Sequence, residues 1–462
     1  MGSRPTAAPA AESGTSGKGT GHCHDCAGDV VIVGAVRTAN CRAKKGGFKD
    51  AFPDDLVVAV LKDVVERAGV KPEEVDDVCF GSVFPSTSKR ASELRSATIL
   101  AGFPVNVPAY TVNRQCCAGL QSIANMAAAI QAGYIDIGIA GGIEFFTRAV
   151  WMFGHQTAKE QTKCLNRCVL LTDRAPSAGG LLRSDPLDWQ GSDNPKIEGS
   201  KDAQDVGLAL GLTAENVAEK YHVEREAQDR FAAASHAKAA AAQASGKFDQ
   251  EIVALKVPRK DASGDTKEVL VAADDSIRAD STFESLAKAR LKPYFKKGGT
   301  VTAGNCCSVD CAAAVLMMNR AEAERRGLPV LATLRSFVPV AVEPGTMGTA
   351  PLVAVPKALE RAGITKEEVE VFELNEAFAS QQLGLPEDKV NPNGGAIALG
   401  HPAGATGVRQ TVTLLHELAR RQESGDPGPK YGLVSMCAGS GVGAAAVYEI
   451  PAKNGKAGGN GN

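Results

Sequence analysis

Two cysteines stand side by side in Asn113-Arg114-Gln115-Cys116-Cys117-Ala118-Gly119-Leu120. The apolar spacing that follows, Leu120, Ile123, Ala127 and Ile130, predicts a helix that begins near Cys116 or Cys117. A helix N-terminus presents unpaired N–H groups and the positive end of the dipole, so a cysteine there is expected to have a lowered pKa and to act as a nucleophilic thiolate. The opposing reading makes both cysteines small buried hydrophobes. A second segment, Asn393 to Gly407, sets five glycines around His401 ahead of a predicted helix, Val408 to Ala419. Glycines let a backbone approach a ligand closely, and a histidine among them suits a base or an oxyanion donor. No Lys-Ser/Thr follows the last glycine, so a Walker-type phosphate loop does not fit. In Ser435 to Gly443, Cys437 precedes Gly439, Gly441 and Gly443, directly after the strand-like run Gly432-Leu433-Val434. Exposed N–H groups of that kind suit an oxyanion hole, whereas a lone GxGxG lacks the dinucleotide spacing. In Glu373-Leu374-Asn375-Glu376, Asn375 is suited to hold a water or donate a hydrogen bond.

These residues need a frame that brings distant segments together, and the pattern around them is α/β. Val30 to Val33 suits a central strand, Leu56 to Ala68 a helix closed by Gly69, and Val78 to Val83 a further strand. Glu66-Arg-Ala-Gly-Val-Lys-Pro-Glu-Glu-Val75 recurs as Glu360-Arg-Ala-Gly-Ile-Thr-Lys-Glu-Glu-Val369, an offset of 360 − 66 = 294. A glycine-bearing loop entering a helix follows each copy, which points to an internally duplicated α/β fold. Between the copies, 149–205 reads as irregular loops, and Thr213 to Ala244 as one long Ala-rich helix.

The chain has 462 residues, 44% hydrophobic and 23% charged, enough for a large buried core. With 51 Lys+Arg against 53 Asp+Glu the net charge is −2, which argues against a nucleic-acid partner. Gln115 to Ile135 carries no charge, but Gln121, Ser122, Asn125 and Gln131 interrupt it, so a buried helix is expected rather than a membrane span. Twelve cysteines are too sparse for a disulfide scaffold and suggest a reducing compartment. Cys23 and Cys26, beside His22 and His24, have zinc-like spacing but lack two further ligands at finger spacing, so no metal site is expected.

Together, NRQCC at 113–117, NEAFA at 375–379, GGAIALGHPAGATG at 394–407 and SMCAGSGVGAAAVYE at 435–449 resemble the signature segments of thiolases. The similarity runs from about residue 30 to residue 450 and is closest to eukaryotic peroxisomal-type 3-ketoacyl-CoA thiolases. It implies two βαβαβαββ halves, layered α/β/α/β/α, with an inserted loop domain. The N-terminal half would be 30–148, completed by about 300–325; the loop domain 149–299, with an extra insertion at about 149–183; the C-terminal half 326–450; and 1–29 and 451–462 disordered tails.

For the chemistry, the resemblance implies that Cys116 takes the acyl group as a thioester. His401 would activate it and, with a water held by Asn375, form one oxyanion hole. Cys437 would be the general acid/base, and the backbone N–H groups of Cys116 and Gly439 a second oxyanion hole. Ala303 and either Cys307 or Ser308 would contact the pantetheine. Coenzyme A and acyl-CoA would be substrates rather than resident cofactors, and a homodimer is implied. The resemblance also implies a peroxisomal location, with cytoplasm or mitochondrion as alternatives because no nonapeptide or SKL-type signal is recognised.

The sequence departs from the family pattern at Cys117-Ala118, where small hydroxyl residues are usual, and in Asn305 to Asp310, one residue short. After Gln381 roughly half a dozen residues of a helix, nearly two turns, are missing. The expected activity is CoA-dependent cleavage of 3-oxoacyl-CoA in β-oxidation. The alternatives are an acetoacetyl-CoA-forming biosynthetic thiolase and a non-catalytic acyl-CoA- or lipid-binding relative. A condensing synthase of the same superfamily would lack the acidic cysteine that Cys437 supplies.

Overall fold

The structure, a computed structural model, describes residues 29–84, 90–148, 195–261, 263–288, 291–302, 304, 308–375, 382–425 and 428–452. The zinc-like cysteines, the expected insertion at 149–183, residues 376–381 just before the expected shortening, Ala303, Cys307 and residues 453–462 lie outside them.

The strands, in chain order, are Val30–Thr38 (β1), Cys41–Arg42 (β2), Asp77–Gly81 (β3), Ala109–Val112 (β4), Ile137–Glu144 (β5), Ile252–Val253 (β6), Leu255–Lys260 (β7), Thr266–Val271 (β8), Val309–Asn319 (β9), Ala332–Ala341 (β10), Val369–Leu374 (β11), Lys430–Ala438 (β12) and Val442–Ile450 (β13). Apart from the β7–β8 hairpin they form one mixed sheet in the order β11-β12-β13-β10-β1-β9-β5-β3-β4, with β2 added to β9 and β6 to β1. Two antiparallel residue pairs, Val31 with Thr333 and Ile32 with Ala332, join its halves. Either side of that seam the order is mirrored: β1-β9-β5-β3 on one side, β10-β13-β12-β11 on the other. A parallel bridge from Phe372 to Val390 stands where β4 stands in the first half. The sheet therefore carries the duplication that the repeated segment indicates.

The repeat itself closes two equivalent helices, Pro53–Ala68 (α1) and Ala350–Ala362. Gly69 (φ 67°) and Gly363 (φ 69°) are both left-handed caps. In each, the glycine N–H bonds back to Glu66 or Glu360, and the next N–H reaches Val65 or Leu359. This double bond satisfies the last carbonyls of the helix and turns the chain toward the next strand.

Strand residues alternate between cores. On β1, Val31 and Val33 face a cluster with α1 and with Arg90–Leu100 (α2), while Ile32 faces a second cluster. That second core holds Leu120, Ile123 and Met126 of the helix Ala118–Gln131 (α3) and Val408, Val412 and Leu415 of the helix Thr406–Ser424, between Val315 of one half-sheet and Val434 of the other. On β13, Ala445 and Val447 face a third core with Ala354, Val355 and Ala358. Helices thus cover both faces of both half-sheets, giving five layers, and this is why the strands read as continuous apolar runs.

The expected single helix over Thr213 to Ala244 is two, Leu210–Lys220 and Arg225–Ala244. His222 turns left-handed (φ 52°), and the Val223 N–H closes onto Ala218 O at 2.8 Å, ending the first helix without a glycine. The stretch expected as loops contains a 3-10 turn, Pro195–Gly199, and a short helix, Lys201–Asp205. The inserted region is tied to the sheet by β6, which runs parallel to β1, and by buried Arg37, which reaches Glu251 and Asp274 at 2.7 Å. All three side chains are buried. Removing one partner of such a set commonly costs about 3–5 kcal/mol.

Where α3 meets the segment leading into Thr406–Ser424, glycine backbones touch. A Cβ on Gly119 would lie 2.7 Å from Gly404 O, one on Gly142 2.5 Å from the same atom, one on Gly404 2.5 Å from Ser82 Cα, and one on Gly407 2.4 Å from Leu120 N. Backbone cannot retreat as a side-chain end can. Gly142→Ala is therefore expected to destabilise by about 1–3 kcal/mol in denaturant unfolding. Gly199→Ala, with nothing within 4 Å, should stay within about 0.5 kcal/mol of the parent. Equal midpoints for the two variants would contradict this packing.

Candidate active site

Cys116 sits in the connection between β4 and α3, with Cys117 as the N-cap residue and Ala118 the first helical one. The connection is strained in a useful way. Gln115 adopts φ 51°, unusual for a residue with a side chain, and its N–H is held by Asn113 Oδ1 at 2.9 Å. This turn presents the Cys116 thiol, buried, to the end of β12, where the Gly439 N–H acts on the sulfur. Gly439 is aimed by the left-handed pair Ser440 (φ 68°) and Gly441 (φ 76°), whose tight approach leaves no room for a Cβ on Gly441, 2.5 Å from Val342 O.

Cys437 is the last residue but one of the strand β12, close enough for its charge to act on Cys116. Met347 and Ala350 pack around it, with Val340, Val342 and Leu210 behind them. The helix Leu210–Lys220 fixes this wall, because Asn216 Nδ2 donates to Gly345 O at 2.8 Å. The second thiol of the pair, Cys117, instead points away toward Met436 O, 3.8 Å off, bridging α3 to β12.

His401 precedes the helix Thr406–Ser424. Its Nδ1 pairs with Thr406 Oγ1 at 2.7 Å, which leaves Nε2 as the free ring nitrogen. The loop is pinned by the Gly404 N–H to Glu144 Oε2 at 2.8 Å. Asn375 follows β11, and its N–H bonds to Ser435 O at 2.9 Å, two residues before Cys437. Just upstream, Asn391 holds both the N–H and the carbonyl of Leu374 through its side-chain amide, at 2.8 and 3.0 Å. The C-terminal ends of β11 and β12, the start of α3 and the His401 loop therefore meet at one end of the strands. Of the expected pantetheine contacts, Ser308 is half-buried and its carbonyl accepts from Ala43 N at 3.1 Å, while Ala303 and Cys307 lie outside the described residues. Among the described residues no group of three or more His, Cys, Asp or Glu side chains is placed to hold a metal.

Family models described as "Thiolase, N-terminal domain" and "Thiolase, C-terminal domain" match residues 30–321 and 328–450. The chain belongs to the thiolase family. Peroxisomal 3-ketoacyl-CoA thiolase 1 of Arabidopsis thaliana is 47% identical over 429 residues, covering 91% of this chain and 87% of that protein. The human peroxisomal 3-ketoacyl-CoA thiolase is 44% identical over 432 residues, 92% of each chain. Among solved structures, the dimeric peroxisomal thiolase of Saccharomyces cerevisiae superposes with a TM-score of 0.73 at 34% identity, covering 93% of this chain and 99% of that one. The human mitochondrial 3-ketoacyl-CoA thiolase in complex with CoA gives 0.75 at 31%, covering 91% and 98%.

The electrostatics of this thiolase site differ from the expectation of a thiolate. Burial pushes the Cys116 thiol up to about 12, and the neighbouring Cys437 and Glu144 charges push the same way. The Gly439 N–H pulls it down without reversing the outcome. The sulfur lies ahead of the first helical residue and out of water, so loss of solvation outweighs the dipole. Burial likewise raises Cys437 to about 11 and Cys117 well above the ordinary thiol range. His401 falls to about 4, chiefly from burial and then from the positive charge of Arg409, which is itself buried 3.5 Å from Glu373. The resting pair is thus neutral thiol and neutral imidazole. Sequence reasoning missed Gln115, Ser440, Thr406 and Glu144. A carboxylate ending the apolar strand Ile137–Glu144 was a visible signal, whereas left-handed Gln115 and Ser440 leave no mark in residue type.

A thiol of such high pKa predicts that iodoacetamide labelling of Cys116 climbs about tenfold per pH unit from pH 6 to 9, since only the thiolate reacts. A labelling rate that levels off near pH 7 would reveal a thiolate–imidazolium pair instead.

Proposed function

We propose that this thiolase is a 3-ketoacyl-CoA thiolase that cleaves 3-oxoacyl-CoA with CoA into acetyl-CoA and a shortened acyl-CoA. The observation that carries the reading is the buried Cys116 thiol, with the Gly439 N–H acting on its sulfur and a second buried thiol, Cys437, beside it. An N–H donor beside that sulfur is placed for the oxygen of a carbonyl bonded to it, where charge develops in acyl transfer.

In the first half-reaction His401 Nε2 takes the Cys116 proton while Nδ1–H donates to Thr406. The sulfur adds to C3 of the substrate, the C2–C3 bond breaks, and Cys437 gives its proton to C2 of the departing acetyl-CoA enolate. His401, now carrying a proton on Nε2, and a water held by Asn375 stabilise the enolate oxygen. In the second half-reaction Cys437, as thiolate, takes the proton of incoming CoA. The CoA sulfur displaces Cys116, whose acyl oxygen is held by the N–H groups of Cys116 and Gly439. A proton from His401 restores the free thiol. A high-pKa Cys437 suits the acid role, because it keeps its proton until the enolate forms.

Coenzyme A is a substrate here, and Ala303 with Cys307 or Ser308 would meet its pantetheine. The dimeric yeast relative and the peroxisomal relatives support a homodimer that works in β-oxidation in the peroxisome. The paired thiols favour cleavage chemistry over a non-catalytic binding role, because an acyl-CoA carrier needs neither.

Acetyl-CoA supplied without a thiol acceptor should leave one acetyl group on Cys116, found by intact mass and peptide mapping. Mapping to Cys117 or Cys437 would reassign the nucleophile, and no adduct at all would support the carrier reading. His401→Ala should slow acylation itself. Cys437→Ala should slow acylation less than His401→Ala does, because a CoA thiolate can leave without a proton, but lose ~10²–10⁴-fold in the condensation or cleavage step. Equal acylation defects in the two variants would refute this division of roles.

A further inference from the structure

Glu144 ends β5 with its side chain wholly buried, yet it belongs to none of the motifs that carry the reaction. Its carboxylate collects three backbone N–H groups from two separate parts of the chain. Oε2 accepts from Val83 at 3.1 Å and Gly404 at 2.8 Å, and Oε1 from Phe84 at 3.0 Å. Val83 and Phe84 leave the end of β3 in the N-terminal half, whereas Gly404 lies in the His401 loop of the C-terminal half. Three donors converging on one group call for an acceptor-only side chain, which an ionised carboxylate is and an amide is not. Such charge-assisted bonds are about twice as strong as neutral ones.

The link from Glu144 to His401 is short and stiff. Gly404 rests on Ser82, with no space for a Cβ, and the Gly142 backbone two residues before Glu144 touches Gly404 O. From there the Ala403 N–H returns to His401 O at 2.9 Å, and Thr406 holds the ring at Nδ1. On its other side Glu144 is near enough to Cys116 for its charge to act on the thiol. Burial pushes the Glu144 carboxyl above its ordinary range, while the Gly404 N–H, the positive charge of Arg90 on α2 and the N–H groups of Phe84 and Val83 pull the other way and favour the ionised form.

We propose that Glu144 is a positioning residue for acyl transfer: its buried carboxylate clamps the His401 loop to the ends of β3 and β5 beside Cys116. The assignment rests on the acyl-transfer reading above. It separates two effects of one group. Reach sets where His401 lies, and charge sets how readily Cys116 gives up its proton, alongside Cys437 from β12.

The test compares Glu144→Gln and Glu144→Asp with the parent full-length protein, by acetylation of Cys116 with acetyl-CoA and by iodoacetamide labelling across pH. Glu144→Gln removes the charge and turns an amide N–H₂ toward backbone N–H groups. Acetylation should fall about tenfold to a hundredfold, the loss that a misplacement of about 1 Å brings, while labelling at pH 8 speeds up several-fold. Glu144→Asp keeps the charge but not the reach, so acetylation should fall with labelling as in the parent. A folded Glu144→Asp that acetylates at the parental rate overturns the proposal. So does a Glu144→Gln that loses acetylation with labelling unmoved or slowed, the signature of a loosened site. Should Glu144→Gln fail to fold, Glu144→Asp decides alone. A parent that does not acetylate at all would instead sink the acyl-transfer reading, and the labelling arm distinguishes the two failures.

Discussion

The contact on which this structure depends is backbone against backbone. Gly119 and Gly142 of one half meet Gly404 of the other, and Gly407 meets Leu120, at distances that exclude even a methyl group. Interiors are packed as densely as organic crystals, so one added carbon would have to lever α3 away from the His401 loop. That lever would act on the chemistry, because α3 starts beside Cys116 and the loop carries His401. Close approach of the two halves and assembly of the site are the same event.

The same closeness explains the electrostatics. Dry packing strips water from Cys116, Cys437 and His401, and each is driven to its neutral form. The polar groups acting on Cys116 include fixed backbone such as the Gly439 N–H, and Glu144 gathers three further N–H groups nearby. Such dipoles need not reorganise when an oxyanion forms. A resting neutral pair costs nucleophilicity at first contact, but it leaves the proton where the acid–base steps require it. Arg409 adds to this by holding His401 neutral from within the helix Thr406–Ser424, with Glu373 of β11 compensating its own charge.

The inserted region is bound to the catalytic core by more than chain connectivity. Arg37 of β1 joins Glu251 and Asp274 in a fully buried set, and β6 extends the sheet by two residues beside it. Glu215 accepts N–H groups from Thr300 and Val301, ahead of the segment expected at the pantetheine, while its neighbour Asn216 holds Gly345 near Cys437. One helix, Leu210–Lys220, thus steadies both the segment before residue 303 and the wall behind Cys437.

Much of the design is readable from residue order alone. The repeat at Glu66 and Glu360 announces two halves, because identical caps need identical residues: an apolar helix end and then glycine. The run Val30 to Val33 announces a strand covered on both faces, and the spacing after Cys117 announces α3. Cys116, Asn375, His401 and Cys437 stand out because each sits in a segment whose glycines or polar residues serve no helix or strand. Other features depend on atoms brought from far along the chain. The break at His222 comes from a backbone turn that residue types do not foretell. The left-handed Gln115 and Ser440 are held by Asn113 and by the crowding at Gly441. The raised thiol pKa contradicts the helix-end expectation because solvation is a property of the packed neighbourhood, not of position in a helix. Glu144 gains its role only when Val83 and Gly404, 61 residues before it and 260 after it, are laid on the same carboxylate. Sequence determined which groups are present and in which elements they lie, since local periodicity and capping are short-range. Tertiary structure alone decided their protonation and their mutual aim, since both are set by neighbours that the chain brings together only on folding.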